Sequence, residues 1–252
     1  MQPVDFFMSR FFIPKENIEE NKIKVTGEDV IHISKVLRLE KGDFFTCCDG
    51  KGFDYDVKIA EISKTEVVCD IVNKQKSDTE PPVKVILIQG VPKAAKMDYI
   101  IQKNTELGIS EIYPCSLKRC VSKTEKDKKT DRWQKIAKEA AQQSGRGIVP
   151  TVHNTVNLKD AVEILKKSDI SFAAYESEDK NTLKDKLLSK KNPQTVAFLI
   201  GPEGGFDVSE IEFLKNSGIS VISLGKRILR TETAGEAVVS MIMYEIGDIN
   251  KF

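Results

Sequence analysis

Short apolar segments alternate with stretches of helical periodicity throughout residues 83–252. The strand candidates are VKVILIQ (83–89), EIYPC (111–115), ISFAAY (170–175), TVAFLI (195–200) and ISVISL (219–224). The apolar spacing predicts helices over Ala94–Leu107, Asp131–Ser144, Leu158–Lys167, Lys180–Leu188, Val208–Asn216 and Thr233–Ile246. Strands joined by helical crossovers form a parallel sheet that is covered on both faces. This part of the chain is therefore predicted to be an α/β domain.

The first part of the chain has a different pattern, in which strands predominate. Strands are predicted over Phe11–Ile13, Lys22–Val25, Asp43–Asp49, Phe53–Ile62 and Thr65–Val72, with one helix over Gly27–Leu39. Several short strands with one helix favour a small β-barrel. The polar segment KQKSDTEPP (Lys74–Pro82) is typical of a linker. We predict a barrel domain over residues 1–75, a linker over 76–82 and the α/β domain over 83–252.

Composition excludes several classes of protein. Hydrophobic residues make up 40% and charged residues 31% of the 252 residues, which is typical of a globular protein. No apolar run reaches the roughly 20 residues that cross a bilayer, and no signal peptide is recognised at the N-terminus. The five cysteines contain no Cys-x-x-Cys pair, so neither a disulfide framework nor a metal site is expected. A reducing cytoplasm is predicted.

Charge is unevenly distributed along the chain. The net charge is only +1. Residues 1–82 carry 12 Lys/Arg against 16 Asp/Glu, whereas residues 93–138 carry 12 Lys/Arg against 6 Asp/Glu. A basic segment in a nearly neutral chain could form a phosphate-binding surface. The alternative is a solvated lysine-rich loop.

The segment GPEGGF (Gly201–Phe206) follows the predicted strand TVAFLI and precedes a predicted helix. Asp207 and Glu210 have capping-box spacing, so the helix should begin directly after the segment. Open α/β sheets bind ligands at such turns, and glycines let the backbone approach a ligand closely. The segment lacks the patterns of a phosphate-binding loop and of a dinucleotide fold. From its residues alone it is either a ligand site or a glycine-rich turn.

A second segment, LGKRILRTETA (Leu224–Ala234), also links a predicted strand to a helix. Ile228 and Leu229 are apolar where a solvent-exposed loop is usually polar, so we expect them to line a pocket or pack into a core. Arg227 and Arg230 place two guanidinium groups beside them. These residues predict a ligand site without identifying its ligand.

Together the two segments resemble the paired signature of the 16S ribosomal RNA uridine N3-methyltransferase family, within the SPOUT superfamily of knotted methyltransferases. Further segments resemble blocks of the same family, in the family's order. They are SRFFIP (9–14), HISKVLRLEKGD (32–43), KMDYIIQKNTELG (96–108) and RWQKIAKEAAQQSGR (132–146). The resemblance therefore extends from about Ser9 to the C-terminus.

The resemblance implies an N-terminal PUA-like barrel that binds RNA and a C-terminal α/β domain with a trefoil knot and a mostly parallel sheet. It also implies a homodimer and S-adenosylmethionine as the cofactor, bound between the knot loops and a third loop near Tyr175 and Glu176. Carried over by position, the cofactor-binding residues are Tyr175, Leu199, Ile200, Gly201, Pro202, Glu203, Gly204, Leu224, Gly225, Ile228, Leu229, Arg230, Thr233 and Ala234.

The implied substrate is a uridine in the decoding region, helix 44, of 16S ribosomal RNA within the small subunit. Methylation at N3 needs a proton acceptor, positive charge for the uracil anion and an unpaired base. We expect Glu203 to be the base, and Arg230 and Arg10 to stabilise the anion. Glu203 could instead hydrogen-bond the loop backbone, and Arg10 could instead bind phosphate. The predicted RNA-binding residues are Arg10, Arg38, Lys93, Lys118, Arg119, Lys123, Arg132 and Arg146.

Two other functions are compatible with the same residues. The knotted scaffold could methylate a ribose 2′-hydroxyl or a guanine nitrogen. The chain could also be a non-catalytic RNA-binding or ribosome-assembly factor. Intact cofactor loops favour an enzyme, and no membrane or metal partner is expected.

Overall fold

The structure is a computed structural model that describes residues 10–93, 95–120 and 128–250. The chain folds into two compact units. The first comprises the residues up to Glu80 together with Ala141–Val149, and the second comprises Pro81–Ala140 and the chain from Pro150 onward. The second unit therefore differs from the predicted continuous domain 83–252, because residues 141–149 pack with the first.

Five strands form the sheet of the first unit, in the order β1-β3-β4-β5-β2. β1 pairs with β3 in parallel, and the other pairs are antiparallel. One hydrophobic core receives side chains from all five strands. All five predicted strands are confirmed, but the last continues to Lys76, three residues into the polar segment Lys74–Pro82 and one residue into the predicted linker 76–82. The strands are β1 (Arg10–Phe12), β2 (Lys22–Thr26), β3 (Phe44–Cys48), β4 (Phe53–Ile62) and β5 (Glu66–Lys76).

The predicted helix Gly27–Leu39 consists of two parts. Helix α1 (Glu28–Ile31) continues directly into a π-helical turn over His32–Val36. Arg38 follows with a φ of +57°, a left-handed conformation that is uncommon for residues other than glycine. Apolar periodicity thus predicted the helix but not its wider second turn or its left-handed end.

A buried ion pair attaches Ala141–Val149 to the rest of the first unit. Nη2 of Arg146 lies 2.6 Å from Oε2 of Glu80. The N–H groups of Gly147 and Ile148 each donate to Oε1 of Glu80 over 3.0 Å. A buried guanidinium needs such a partner, because removing an unpaired charge from water is costly. Arg146 therefore has an internal role, in contrast to the predicted RNA contact.

The second unit contains a seven-stranded sheet in the order β12-β10-β11-β6-β7-β8, with β9 also paired to β7. Every pair in this sheet is parallel. The five predicted strands are confirmed, whereas β8 and β9 were not predicted because two residues are too few to show a period. The strands are β6 (Lys84–Gly90), β7 (Glu111–Ser116), β8 (Thr151–Val152), β9 (Val156–Asn157), β10 (Ile170–Ala174), β11 (Thr195–Ile200) and β12 (Ser220–Ile222).

Six further helices follow these strands, and all six were predicted. Only α6 has both predicted boundaries, and the other helices begin or end one to three residues from the prediction. α5 begins at Leu183 because the Thr182 side chain accepts a hydrogen bond from the Asp185 N–H, and α7 begins at Thr231, directly after Arg230. The helices are α2 (Lys96–Glu106), α3 (Lys128–Gln143), α4 (Leu158–Lys166), α5 (Leu183–Leu188), α6 (Val208–Asn216) and α7 (Thr231–Glu245).

Two hydrophobic cores cover the two faces of the parallel sheet. Along β11, Val196 and Phe198 point into one core, and Ala197 and Leu199 point into the other. This explains why TVAFLI shows no polar alternation. Trp133 on α3 is buried in the first of these cores.

All five cysteines are free thiols, and four of them are buried. Within the described ranges, no helix is long and apolar enough to cross a membrane. The same part of the chain contains no group of three or more side chains that could hold a metal ion.

Candidate functional site

Three loops meet at one edge of the parallel sheet. β10 lies between β11 and β12, so the segments that follow these strands lie side by side. Tyr175 and Glu176 follow β10, GPEGGF (201–206) follows β11, and residues 223–230 connect β12 to α7. The carboxyl edge of parallel strands is where open α/β sheets bind ligands.

The three loops line a cavity of about 490 Å³. The two segments predicted to share one ligand therefore face the same space. Of the residues predicted to bind the cofactor, those that line the cavity are Tyr175, Ile200, Gly201, Pro202, Glu203, Gly204, Leu224, Gly225, Ile228, Leu229, Arg230 and Ala234. The lining also includes Lys96, Ala174, Glu176, Gly205, Phe206, Lys226, Arg227 and Thr231.

Close packing around GPEGGF requires glycine at two positions. A Cβ on Gly90, the last residue of β6, would lie 2.7 Å from Pro202. Gly205 has a φ of +66°, which glycine adopts without strain. Asp207 and Glu210 then form the predicted capping box, which starts α6. The packing of Pro202 against Gly90 fixes the start of GPEGGF, and the capping box fixes its end.

Two basic residues hold the same loop from outside. Nη1 of Arg119 donates to the carbonyl oxygen of Gly204 over 2.9 Å, and the ammonium of Lys118 lies 3.4 Å from Asp207. The N–H of Lys118 donates to the carboxylate of Glu210 over 2.8 Å. Lys118 and Arg119 were predicted to bind RNA. Their side chains are exposed, and they also position the loop.

The Glu203 carboxylate is held by three donors. The Lys93 N–H donates to both of its oxygens, and Nζ of Lys96 lies 3.3 Å from Oε1. Lys96 also lies 3.3 Å from the Glu232 carboxylate on α7. Burial raises the pKa of Glu203, but hydrogen bonds from its own N–H, Lys93 and Lys96 outweigh burial, so the pKa lies below its ordinary value. Glu203 is therefore ionised and is a weak proton acceptor.

A buried chain of hydrogen bonds lies beneath the cavity. Nε2 of Gln89 donates to the Thr231 hydroxyl over 2.9 Å, and this hydroxyl donates to the Gly201 carbonyl over 2.6 Å. Both side chains are buried. The sequence does not predict this contact, because β6 is distant from Thr231 in the chain.

The segment 224–230 is cationic and open to solvent. Lys226, Arg227 and Arg230 are exposed, and their side chains form no hydrogen bond or ion pair within the described part of the chain. Leu229 packs against a core, as predicted. Ile228 lines the cavity but is 84% exposed, so it presents apolar surface to solvent.

Two predicted cofactor-binding residues and one predicted catalytic residue lie outside the cavity lining. Leu199 is fully buried in a core, because it points away from the edge along β11. Thr233 is exposed on the first turn of α7. Arg10 pairs with Asp54 in the first unit, where Nη2 lies 2.9 Å from Oδ2 and both side chains are nearly buried. This guanidinium neutralises a buried carboxylate, in contrast to the predicted catalytic and RNA-binding roles.

The remaining predicted RNA-binding residues have varied surroundings. Arg38 and Lys93 are exposed. Arg132 is exposed and forms an ion pair with Asp98. Lys123 lies outside the described residues.

The sequence missed several lining residues, although signals for some of them exist. Lys96 is the first residue of the block KMDYIIQKNTELG, and Lys226 lies inside LGKRILRTETA. Gly205 and Phe206 belong to GPEGGF itself. The resemblance implies a cofactor loop near Tyr175 and Glu176, but it does not single out the Glu176 side chain, whose place in the cavity lining depends on where β10 lies in the sheet.

Family models match both units. A model described as an RNA methyltransferase domain matches residues 79–243, and one described as an RNA methyltransferase PUA domain matches residues 25–72. The first covers more than half of the chain. The residues that it matches include all three loops that line the cavity.

Relatives are similar over almost the entire chain. The ribosomal RNA small subunit methyltransferase E of Bacillus subtilis is 36% identical over 248 residues, which cover 94% of this chain and 97% of that protein. The protein of the same name from Mesomycoplasma hyopneumoniae is 35% identical, over 90% of this chain and 95% of that one.

Solved structures have the same fold. The ribosomal RNA small subunit methyltransferase E of Neisseria gonorrhoeae, bound to S-adenosylmethionine, aligns with a TM-score of 0.86 and 30% identity, over 96% of this chain and 99% of that one. A methyltransferase from Legionella pneumophila, also with S-adenosylmethionine bound, aligns with a TM-score of 0.84 and 31% identity, over 96% and 99% of the two chains. The chain therefore belongs to the RNA methyltransferase family that includes these ribosomal RNA small subunit methyltransferases E.

Proposed function

We propose that the chain transfers a methyl group from S-adenosylmethionine to N3 of a uridine in the decoding region, helix 44, of 16S ribosomal RNA. The observation that carries this proposal is the single cavity formed by GPEGGF and residues 224–230. These are the segments whose sequences resemble uridine N3-methyltransferases. Relatives at 35–36% identity act on small-subunit ribosomal RNA by name, and two solved relatives hold S-adenosylmethionine.

The cavity fits this cofactor in size and in chemistry. A volume of about 490 Å³ lies within the roughly 300–1,000 Å³ typical of small-molecule sites. Leu224, Leu229 and Ala234 provide apolar surface for an adenosine, and the glycine backbone of residues 201–204 permits close approach. When bound, the cofactor supplies an electrophilic methyl group on a sulfonium.

Arg230 is the residue we assign to the chemistry of the base. Loss of the N3 proton places negative charge on O2 and O4 of uracil, and a positioned cation stabilises that charge. Arg230 lines the cavity, is exposed and has no partner among the described residues, so its guanidinium is free to bind uracil. Glu203 is a weaker candidate than the sequence predicted, because Lys93 and Lys96 already engage its carboxylate. We assign Glu203 to ordering the loop.

We propose that RNA binds through the exposed basic residues and through the PUA domain. N3 lies on the pairing edge of uracil, so the target base must be unpaired or flipped out before it enters the cavity. The exposed candidates are Arg38, Lys93, Lys118, Arg119 and Arg132. Phosphate contacts from these residues would hold the RNA while the cavity selects the base.

The family resemblance also implies a trefoil knot, a homodimer and a cytoplasmic location, and we include all three in the proposal. Support for the dimer comes from a groove of about 460 Å³ between α5 and α7. Met241, Tyr244 and Ile249 line it and are at least 41% exposed. Exposed apolar side chains that lie together are typical of protein interfaces.

The test of the proposed function is transfer of labelled methyl groups from S-adenosylmethionine to small ribosomal subunits lacking the modification. We expect label in small subunits and none in large subunits. Arg230→Ala should lower kcat by about 10²–10³, as loss of an anion-stabilising donor does elsewhere, and Arg230→Lys should recover part of it. Wild-type turnover in Arg230→Ala would contradict the role assigned to Arg230, and turnover in Glu203→Gln that fell as far as in Arg230→Ala would return Glu203 to the chemistry. No transfer by the wild-type chain would favour a non-catalytic RNA-binding factor.

A further inference from the structure

Two carboxylates line the cavity, and only one of them is neutralised. Glu203 is held by Lys93 and Lys96. Glu176 also lines the cavity and is exposed, but its side chain forms no hydrogen bond or ion pair within the described part of the chain. The cavity therefore contains one carboxylate that is free to accept hydrogen bonds from a ligand.

The fold directs this carboxylate to the centre of the loop cluster. Glu176 follows β10, which lies between the strands that precede the other two loops. Its Oε1 lies against Gly205, where a Cβ would come within 2.7 Å. Glycine at position 205 therefore leaves room for the carboxylate. The ring of Tyr175 beside it packs edge-on against Phe206, with centroids 6.4 Å apart.

The other free charges of the cavity are cations, and they lie on a different loop. Lys226, Arg227 and Arg230 belong to the segment between β12 and α7. S-Adenosylmethionine has an α-carboxylate at one end and a ribose with two neighbouring hydroxyls nearer the other. Cations attract the α-carboxylate, which leaves the nucleoside half for the side of the cavity that contains Glu176.

We propose that Glu176 binds the ribose hydroxyls of S-adenosylmethionine. A carboxylate accepts hydrogen bonds from two adjacent hydroxyls at once, and such charge-assisted bonds are strong. Acidic residues near the carboxyl edge of a parallel sheet bind ribose in the same way in dinucleotide folds. Through these ribose hydroxyls, Glu176 contributes to selection of the cofactor. This inference rests on the proposed placement of S-adenosylmethionine in the loop cavity.

The test is calorimetric binding of two ligands to the full chain. The ligands are S-adenosylmethionine and 5′-methylthioadenosine, which keeps the ribose and adenine but lacks the amino-acid half. Glu176→Ala should weaken both ligands about tenfold or more, and Glu176→Gln should weaken them less, because an amide still accepts one hydrogen bond. Asp179→Asn is the matched control, since Asp179 is exposed nearby but does not line the cavity. Thermal unfolding should not change, because Glu176 has no partner to lose.

The same binding experiment includes a third ligand, 3′-deoxy-5′-methylthioadenosine, which lacks one of the two ribose hydroxyls. The wild-type chain should bind it more weakly than the parent nucleoside, and Glu176→Ala should bind the two equally. Loss of affinity for S-adenosylmethionine alone would show that Glu176 binds the α-ammonium and would overturn the inference. Equal binding by wild type and Glu176→Ala would also overturn it, and the proposed function would stand. A wild-type chain that binds neither parent ligand would overturn the proposed function as well.

Discussion

The hydroxyl of Thr231 donates a hydrogen bond of 2.6 Å to the carbonyl oxygen of Gly201. Thr231 is the first residue of α7, and Gly201 is the first residue of GPEGGF, so this bond joins two of the three loops of the cavity. The amide of Gln89, at the end of β6, donates to the same hydroxyl over 2.9 Å. The cavity therefore keeps its shape through three segments that are far apart in the sequence.

Thr231→Val should remove this link without changing the volume of the side chain. The Gly201 carbonyl and the Gln89 amide would lose a buried partner, which typically costs about 1–3 kcal/mol. We expect a loss of that size in the free energy of unfolding in urea, together with weaker binding of S-adenosylmethionine. Thr233→Val is the control, because Thr233 is exposed on the same helix. Equal effects of the two substitutions would contradict the proposed link.

Arg10→Met should destabilise the first unit. It would leave the Asp54 carboxylate buried without its ion pair, and breaking such a pair from one side costs about 3–5 kcal/mol. Urea unfolding measures the loss, and Arg38→Met at an exposed site is the comparison. A stable Arg10→Met protein that had lost only methyl transfer would restore the catalytic role that the sequence predicted.

The sequence predicted the elements better than the partners of individual side chains. TVAFLI and GPEGGF showed a doubly buried strand followed by a glycine turn, and both are local properties. The partner of Arg10 could not be predicted, because Asp54 reaches it only through the pairing of β1, β3 and β4. The internal role of Arg146 likewise depends on contact with Glu80, 66 residues earlier in the chain.

The same difference between local sequence patterns and contacts of distant segments explains which features of the candidate site could be predicted. Twelve of the residues that the family resemblance assigns to the cofactor line one cavity, and most of them belong to the two loops with specific motifs. The resemblance also assigns Leu199 to the cofactor, but side chains alternate along β11, and Leu199 points into a hydrophobic core. The free state of Glu176 and the engaged state of Glu203 depend on contacts between loops, which no single segment reveals.

The free energy of unfolding should fall in acid, because Glu111 then becomes protonated. The largest effect on the pKa of Glu111 is a hydrogen bond from His153, which lowers it. Burial raises this pKa, whereas Lys84 and Tyr113 lower it further. The pKa is therefore about 2, compared with an ordinary 4.5. A lowered pKa stabilises the fold above pH 4.5, and this stabilisation is lost as the pH falls from 4.5 towards 2. Glu111→Gln should therefore be less stable at neutral pH and show a shallower decline in that window.

Urea unfolding at a series of pH values measures this decline. Glu212→Gln is the matched control, because Glu212 is exposed on α6. A wild-type stability that is constant from pH 5 to pH 2, or an unchanged slope in Glu111→Gln, would contradict the assignment.

Tyr244→Asp should weaken self-association. Tyr244 is 61% exposed on α7 within the apolar groove, and a charge there opposes burial at an interface. Sedimentation velocity should show a dimer for wild type and more monomer for the variant. Phe213→Asp on α6 is the control, because Phe213 is also exposed but lies outside the groove. A wild-type chain that sediments as a monomer would contradict the proposed dimer.

The identity of the methylated nucleoside tests the central claim most directly. Small subunits that lack the modification are incubated with the chain and S-adenosylmethionine, and the 16S ribosomal RNA is then digested and its nucleosides are separated by mass spectrometry. We predict 3-methyluridine as the product, formed by wild type and strongly reduced with Arg230→Ala. A 2′-O-methylated nucleoside or a methylguanosine as the product would contradict the account.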